Sequence, residues 1–271
     1  MLESSHLDRI SRLYHITIAS VSLSTEIVGY LDSLLRVREI PDDPRALNGL
    51  QVANSGTVRR IGAAVDACQA SIDAAVASGC DFLLAHHGLF WGGLEPLTGR
   101  HGRRVRALVA GDVALYSAHI PLDCHPEVGN NAVIARQLSL TNCKPFGEYR
   151  GILIGVEGNA DTTLAEFTQR VERVLKHPPR VIQGGPERVT RVAVVSGAAS
   201  DLVRAAHQAG IDTFLTGEGP HHTYFDAEEL GVTVLYGGHY ATETAGVREL
   251  ARHLSDRYGI PWQFLDHPTG L

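Results

Sequence analysis

The chain has 271 residues, 44% hydrophobic and 20% charged, with a formal net charge of −6. That length gives one large domain or two small ones with an ample core, and the acidic balance excludes a general binder of nucleic acid or anionic membrane. No apolar run approaches the ~18 residues of a membrane span, and a start carrying Glu3 and Asp8 lacks the basic opening of a secretory signal, so the cytoplasm is the expected compartment.

In chain order, residues 1–22 read as an N-terminal extension. Ser24-Thr25-Glu26 then opens an amphipathic run with Ile27, Leu31, Leu34 and Leu35 on one face, the pattern of a capped helix. Pro41-Asp42-Asp43-Pro44 marks a turn. Beyond it the chain matches itself. A slide of 131 positions lays Ile61 on Val192, Ile72 on Val203, Ala74-Ala75 on Ala205-Ala206, Gly79 on Gly210, Asp81 on Asp212 and Leu83-Leu84 on Phe214-Leu215. Each copy reads as strand, helix, glycine stop, strand. A second slide, of 120 positions, lays Leu115-Tyr116 on Leu235-Tyr236, His119 on His239 and Asp123 on Glu243. Two offsets in the same order point to a duplication. The expected fold is α/β: two similar repeats, 23–146 and 147–271, with helices flanking mixed sheets and a seam near Gly147 to Gly151.

Histidine is the unusual residue of the composition, with 14 copies. Eight of them fall in two patches: His86, His87, His101, His119 and His125, then His221, His222 and His239. His86-His87-Gly88 directly follows the apolar strand Phe82 to Ala85, and sites in open α/β sheets lie beyond strand carboxyl ends. Neighbouring strand residues face opposite ways, so the pair shares a target only if the chain turns at once. His119-Ile120-Pro121-Leu122-Asp123-Cys124-His125 follows the strand Val113 to Tyr116, and the two oxygens of Asp123 suit it to bridge cations. Gly238-His239 to Glu243 follows Val232 to Tyr236, with His239 and Glu243 one helical turn apart. Two histidines, one carboxylate, and a histidine with a glutamate make five oxygen and imidazole donors. Five exceed a tetrahedral zinc site and suit two bridged cations. Zinc, iron, manganese and nickel match such donors. Cys68, Cys80, Cys124 and Cys143 show no metal-binding spacing, and Cys124 reads as a spectator.

Several motifs in order make the sequence resemble the GTP cyclohydrolase 1 type 2 family, also called NIF-three-like dinuclear-metal-centre hexameric proteins. They are Asn48-Gly49-Leu50-Gln51-Val52, His86-His87-Gly88, His119-x-Pro-Leu-Asp123 running to Gly129-Asn130-Asn131, Thr216-Gly217-Glu218, and Gly238-His239-x-x-x-Glu243. The resemblance covers about residues 24 to 268. It implies that His86, His87, Asp123, His239 and Glu243 ligate two divalent metal ions per subunit. It also implies intertwined repeats, a toroidal homohexamer, and hydrolysis of a small nucleotide-like substrate as one activity. His221-His222 and residues 1–22 match nothing in the family pattern.

His119 and His125 are candidates for proton transfer, and equally for outer supports that fix Asp123, the heavier reading. Glu218, opposite His87 in the repeat, reads either as pocket lining or as a helix cap. The basic run Arg100, His101, Arg103, Arg104 and Arg106 reads as a solvated helix start, with phosphate attraction as the sharper alternative. No Walker A sequence is present. The leading expectation is a metal-dependent hydrolase of a small molecule, with no nucleic-acid or membrane partner; the alternative is a non-catalytic metal-handling or regulatory protein.

Overall fold

The computed structural model describes residues 22–93 and 95–271, so the extension expected over 1–22 lies outside the described residues except for Ser22. The strands, in chain order, are β1 (Ser22–Leu23), β2 (Gly49–Val52), β3 (Thr57–Val58), β4 (Ile61–Asp66), β5 (Phe82–His87), β6 (Ala114–Ser117), β7 (Thr141–Tyr149), β8 (Ile152–Thr163), β9 (Arg180–Ile182), β10 (Arg188–Val194), β11 (Thr213–Thr216), β12 (Thr233–Tyr236) and β13 (Trp262–Phe264). They form a five-stranded sheet of order β13-β4-β5-β6-β2 and a six-stranded sheet of order β7-β8-β10-β11-β12-β9, beside a small β1-β3 pair. β4, β5 and β6 run parallel, as do β10, β11 and β12; the first sheet gains antiparallel β2 at one edge and parallel β13 at the other, and the second gains antiparallel β9 at one edge and the β7-β8 hairpin at the other. Both sheets are therefore mixed, and their central strands are buried on both faces, as parallel strands must be when helices cover them.

The helices follow from the apolar patterning. On one face of the first sheet, Ile27 and Leu31 from the helix Ser24–Leu34 pack with Leu250 and Leu254 from the helix His239–Tyr258. On the other face lie Ile72 and Ala75 from Gln69–Ala77 and Leu108 from Gly99–Ala110. The second sheet is sandwiched by Phe167 and Val171 (helix Leu164–Leu175) on one side and by Val203 and Ala206 (helix Val203–Gln208) on the other. The expected side-chain cap on the first helix is missing. The amide of Ser24 instead donates to the Gly56 carbonyl, so the β1-β3 pair starts that helix.

The duplication is visible atom by atom. Asp81 accepts from the backbone amides of Arg59 and Arg60, and Asp212, 131 positions on, accepts from those of Thr190 and Arg191. Each carboxylate thereby holds the start of the strand neighbouring its own. Gly79 and Gly210 both end a helix at positive φ, 67° and 72°, where a side chain would be strained. The β4-β5 register, Ile61 to Phe82, reappears as Val192 to Thr213. The second offset slips. Leu115 pairs with Leu83, but it is Val234, one residue before the expected Leu235, that pairs with Phe214. Leucine and tyrosine at adjacent positions of both strands make the sequences align one step out of register.

The repeats are intertwined. β7 runs from Thr141 to Tyr149 and pairs with β8 in the second sheet, whereas the last strand, β13, returns to pair with β4 in the first. Before returning, the chain crosses the first sheet as the helix His239–Tyr258, whose Tyr240, Val247, Leu250, Ala251 and Leu254 join the core of that sheet. This crossing carries His239 and Glu243 to the residues at the end of β5. None of the described helices is long and apolar enough to cross a membrane.

Candidate metal centre

Parallel strands from both sheets end at the same space. β4 ends on Asp66 and β5 on His86-His87. Ser196 and Gly197 follow β10, Glu218 follows β11, and Gly237-Gly238 follow β12 and lead into His239. This is where α/β folds place ligands, and here two sheets contribute at once. The His86 and His87 rings lie 4.8 Å apart at the strand end. The chain does not turn between them, since both belong to β5. Glu243 reaches across, its Oε1 3.5 Å from His86 Nε2 and its Oε2 3.4 Å from His87 Nε2. Its Oε1 also lies 3.1 Å from His239 Nε2. Glu243 therefore spans three imidazoles. Asp123 faces His86 alone, with Oδ2 3.5 Å from Nε2.

The outer contacts set the chemistry of the rings. Nδ1 of His86 lies 2.9 Å from the Ala118 carbonyl, which can only accept, so this nitrogen carries the proton. Nδ1 of His87 is 2.9 Å from Asp66, Nδ1 of His239 is 2.7 Å from Glu218, and Nδ1 of His119 is 2.7 Å from Asp42. Four rings thus have Nδ1 held by an oxygen, and in three of them, His86, His87 and His239, Nε2 faces Glu243. Oxygen acceptors of this kind orient histidines and raise their basicity at metal sites. Asp123 is fixed by Asn130 Nδ2 at 2.9 Å and Ser196 Oγ at 2.8 Å, both donating to Oδ1. Asn130 in turn accepts from the Gly246 amide at 2.6 Å, which ties Asp123 to the crossing helix.

Burial makes the cluster costly without a cation. His86 is fully buried, and Asp123 and Glu243 are 7% and 2% exposed. His86 Nε2 and Glu243 Oε2 are buried with no hydrogen-bond partner, because the contacts around them are too long for one. Such orphaned groups are expensive. The charges respond to one another. Burial disfavours a cation on His86, yet the Asp123 and Glu243 carboxylates push its pKa up to about 10. Hydrogen bonding to Glu243, helped by Glu218, raises His239 to about 9. Burial alone would raise the Glu243 carboxyl, but the positive field of His86 and the hydrogen bond from His239 hold it well below its usual range. The site therefore collects positive charge. Single donor atoms of His86, His87 and His119, and of His87, His239 and Glu243, lie within 4.8 Å of one another in two groups that share His87. Imidazole and carboxylate donors with no thiolate match a borderline divalent cation.

Of the residues singled out from the sequence, His86, His87, Asp123, His239 and Glu243 come together. His119 joins them by a route the sequence did not show. Its ring lies 5.1 Å from His86 and 5.6 Å from His87, and its Nδ1 is on Asp42, so it does not support Asp123. Asn130 and Ser196 do that. His125 is not at the site. Its Nδ1 accepts from the amides of Glu127 and Val128, which favours the neutral ring, and burial lowers its pKa. Proton transfer and support of Asp123 are both the wrong roles for a ring spent on capping its own loop. Burial pushes the Cys124 thiol up to about 11, so little thiolate is present at neutral pH. His221 packs on Phe225, away from the cluster.

The sequence reading missed Asp42, Asp66 and Ser196. It also missed what the Asn48 motif does: Asn48 accepts from the His119 amide and donates to Asp42, and Gln51 accepts from the Leu89 amide just past His87. Gly197 has φ 68°, and a Cβ there would stand 2.6 Å from Glu243 Oε1, so only glycine leaves Glu243 its place. In front of the cluster lies a cavity of about 970 Å³, lined by Trp91, Arg104, His119, Tyr149 and Leu202 among others. That size admits a nucleotide-sized molecule.

The α/β fold closes two sheets over a buried histidine–carboxylate cluster whose donor atoms are spaced closely enough that they could hold a metal ion. The comparisons narrow this. Residues 23–269 match the model of the family Duf34/NIF3 (NGG1p interacting factor 3). The chain is 47% identical over 248 residues to a GTP cyclohydrolase 1 type 2 homolog of Deinococcus radiodurans, covering 91% of this chain and 94% of that one. The crystal structure of TTHA1606 from Thermus thermophilus superposes with a TM-score of 0.86 at 44% identity, over 92% of this chain and 100% of that one. Reduced HcgD from Methanocaldococcus jannaschii gives 0.80 at 26% identity, over 91% and 99%. The chain belongs to the Duf34/NIF3 family.

Proposed function

We propose that this protein binds two divalent metal ions per chain, zinc, iron, manganese or nickel, and uses them to hydrolyse a small nucleotide-like molecule. The observation that carries the reading is the shared arrangement of His86, His87 and His239, each with Nδ1 held by an oxygen and Nε2 turned to Glu243, with His119 held the same way by Asp42 beside His86 and His87. His86, His87, Asp123, His239 and Glu243 would hold the metals. Metals so bound supply Lewis acidity and lower the pKa of water.

The chain's own residues do the rest. Asp66, Glu218 and the Ala118 carbonyl fix three rings and keep their Nε2 atoms unprotonated once cations replace the protons. His119 stands over the cluster and lines the cavity, and Asp42 is placed to take up positive charge on its ring. It is the residue suited to move a proton between substrate and solvent. Trp91 packs edge-on to both His87 and His119 and shields them from water on that side.

The names of the curated relatives support a nucleotide substrate. Metal-loaded protein is to be assayed against GTP and a panel of phosphoesters. The reading predicts turnover by the wild type and its loss, by a hundredfold or more, in Asp123→Ala. No turnover, or turnover unchanged in the variant, contradicts it. We further propose a homohexamer acting in the cytoplasm. Sedimentation of a monomer would overturn the hexamer.

A further inference from the structure

The helix Gly99–Ala110 carries Arg100, Arg103, Arg104 and Arg106, and among the described residues none of the four meets an acidic partner. Elsewhere arginines do: Arg59 pairs with Asp81, Arg191 with Glu157, and Arg204 with Asp226. Within the basic run the structure separates one residue from the rest. Arg100, Arg103 and Arg106 are exposed, whereas Arg104 is half-buried and lines the cavity in front of the histidine cluster. Its Nε is buried and has no hydrogen-bond partner. It is the only arginine or lysine among the described residues lining that cavity, which also presents the carboxylates of Asp43, Glu148 and Asp201.

A buried guanidinium N–H without an acceptor is costly. No carboxylate among the described residues supplies that acceptor, although several line the same cavity. That Nε is closed to an incoming molecule, but the two terminal nitrogens form a second edge of the fork, which fits two oxygens of a phosphate or carboxylate side by side. An arginine left open at that edge, in a cavity large enough for a nucleotide, is arranged for an anion from outside. The neighbouring exposed arginines add a positive approach to an otherwise acidic molecule.

We propose that Arg104 is the anion-holding residue of this cavity: it grips the phosphate of a small phosphorylated molecule whose other end faces the histidine–carboxylate cluster. The proposal rests on the reading of the cavity as a substrate site and adds to it the chemical class of the substrate and the residue that selects it. Arg104 is a specificity-determining residue, while Arg100, on the same helix face one turn earlier, only steers.

The test is binding, measured by calorimetry on intact protein, metal-stripped and manganese-loaded. The probes are guanosine 5′-monophosphate and guanosine, which differ by the phosphate alone. Arg104→Gln is expected to weaken the monophosphate about tenfold or more and to leave guanosine unchanged, with Arg104→Lys intermediate and Arg100→Gln within about threefold of the wild type. Thermal unfolding and metal content show that each variant is folded and loaded. Equal weakening in Arg104→Gln and Arg100→Gln makes the effect general charge steering and overturns the proposal. So does an unaffected Arg104→Gln, or a wild type that binds the monophosphate no better than guanosine. Failure of the metal reading shows separately, as wild-type protein that takes up no manganese. Loss of the monophosphate in metal-stripped Arg104→Gln would still support Arg104.

Discussion

His239 shows how a single residue is prepared for its work. One nitrogen lies on Glu218, 2.7 Å away, and the other faces Glu243 at 3.1 Å. Glu218→Gln keeps the shape and removes the charge that orients the ring. Such outer partners typically contribute 10–100-fold in metal affinity, so the variant is expected to lose about that much in competition with a chelator, with the fold unchanged by circular dichroism. The protons held in the metal-free site give a second expectation. With pKa values near 9 for His239 and 10 for His86, both above the ordinary 6.5, these rings stabilise the metal-free fold fully below pH 6.5. That contribution falls as pH rises through about 9 to 10. Metal-stripped protein should lose denaturant stability over this range, while metal-loaded protein, whose rings have already released their protons, should change less. The opposite order would contradict the assigned pairing. At this scale the five residues that cluster were legible in the sequence because each lies in or beyond the end of an apolar strand. Asp66 and Asp42 were not. A carboxylate 21 or 77 positions from the ring it holds leaves no local pattern, and the Pro-Asp-Asp-Pro segment reads as a turn whether or not Asp42 serves His119.

At the scale of elements, strands and helices were readable from apolar runs and glycine stops, and the repeat offset of 131 survives to the hydrogen bonds of Asp81 and Asp212. The slip in the second offset was not readable, because strand pairing is set by the whole sheet rather than by two matching side chains. The segment after β10 offers the sharpest test of an element's geometry. Gly197 turns at positive φ directly beside Glu243 and His239. Gly197→Ala adds strain at that φ and pushes a methyl into Glu243 Oε1. The expected cost is about 1 kcal/mol or more in stability, with a fall in bound metal. Retention of full metal content in a stable variant would show that Glu243 has room the structure does not give it.

For the whole molecule, the telling feature is the crossing of the chain between its repeats. Neither repeat holds the centre alone: His86, His87 and Asp123 come from the first, and His239 and Glu243 arrive only because the helix His239–Tyr258 packs on the sheet of the other half and β13 anchors its far end beside β4. The sequence showed two similar α/β units but not which faces meet, since an apolar helix face does not say which sheet it covers. The family match over residues 23–269 agrees with a single interlocked unit. Whether that unit is built to hold metal is decided by elemental analysis of the purified protein beside its His86→Ala/His87→Ala double variant. The wild type should carry up to two metal ions per chain and the variant markedly fewer. Equal occupancy in the two would mean that these histidines are not ligands.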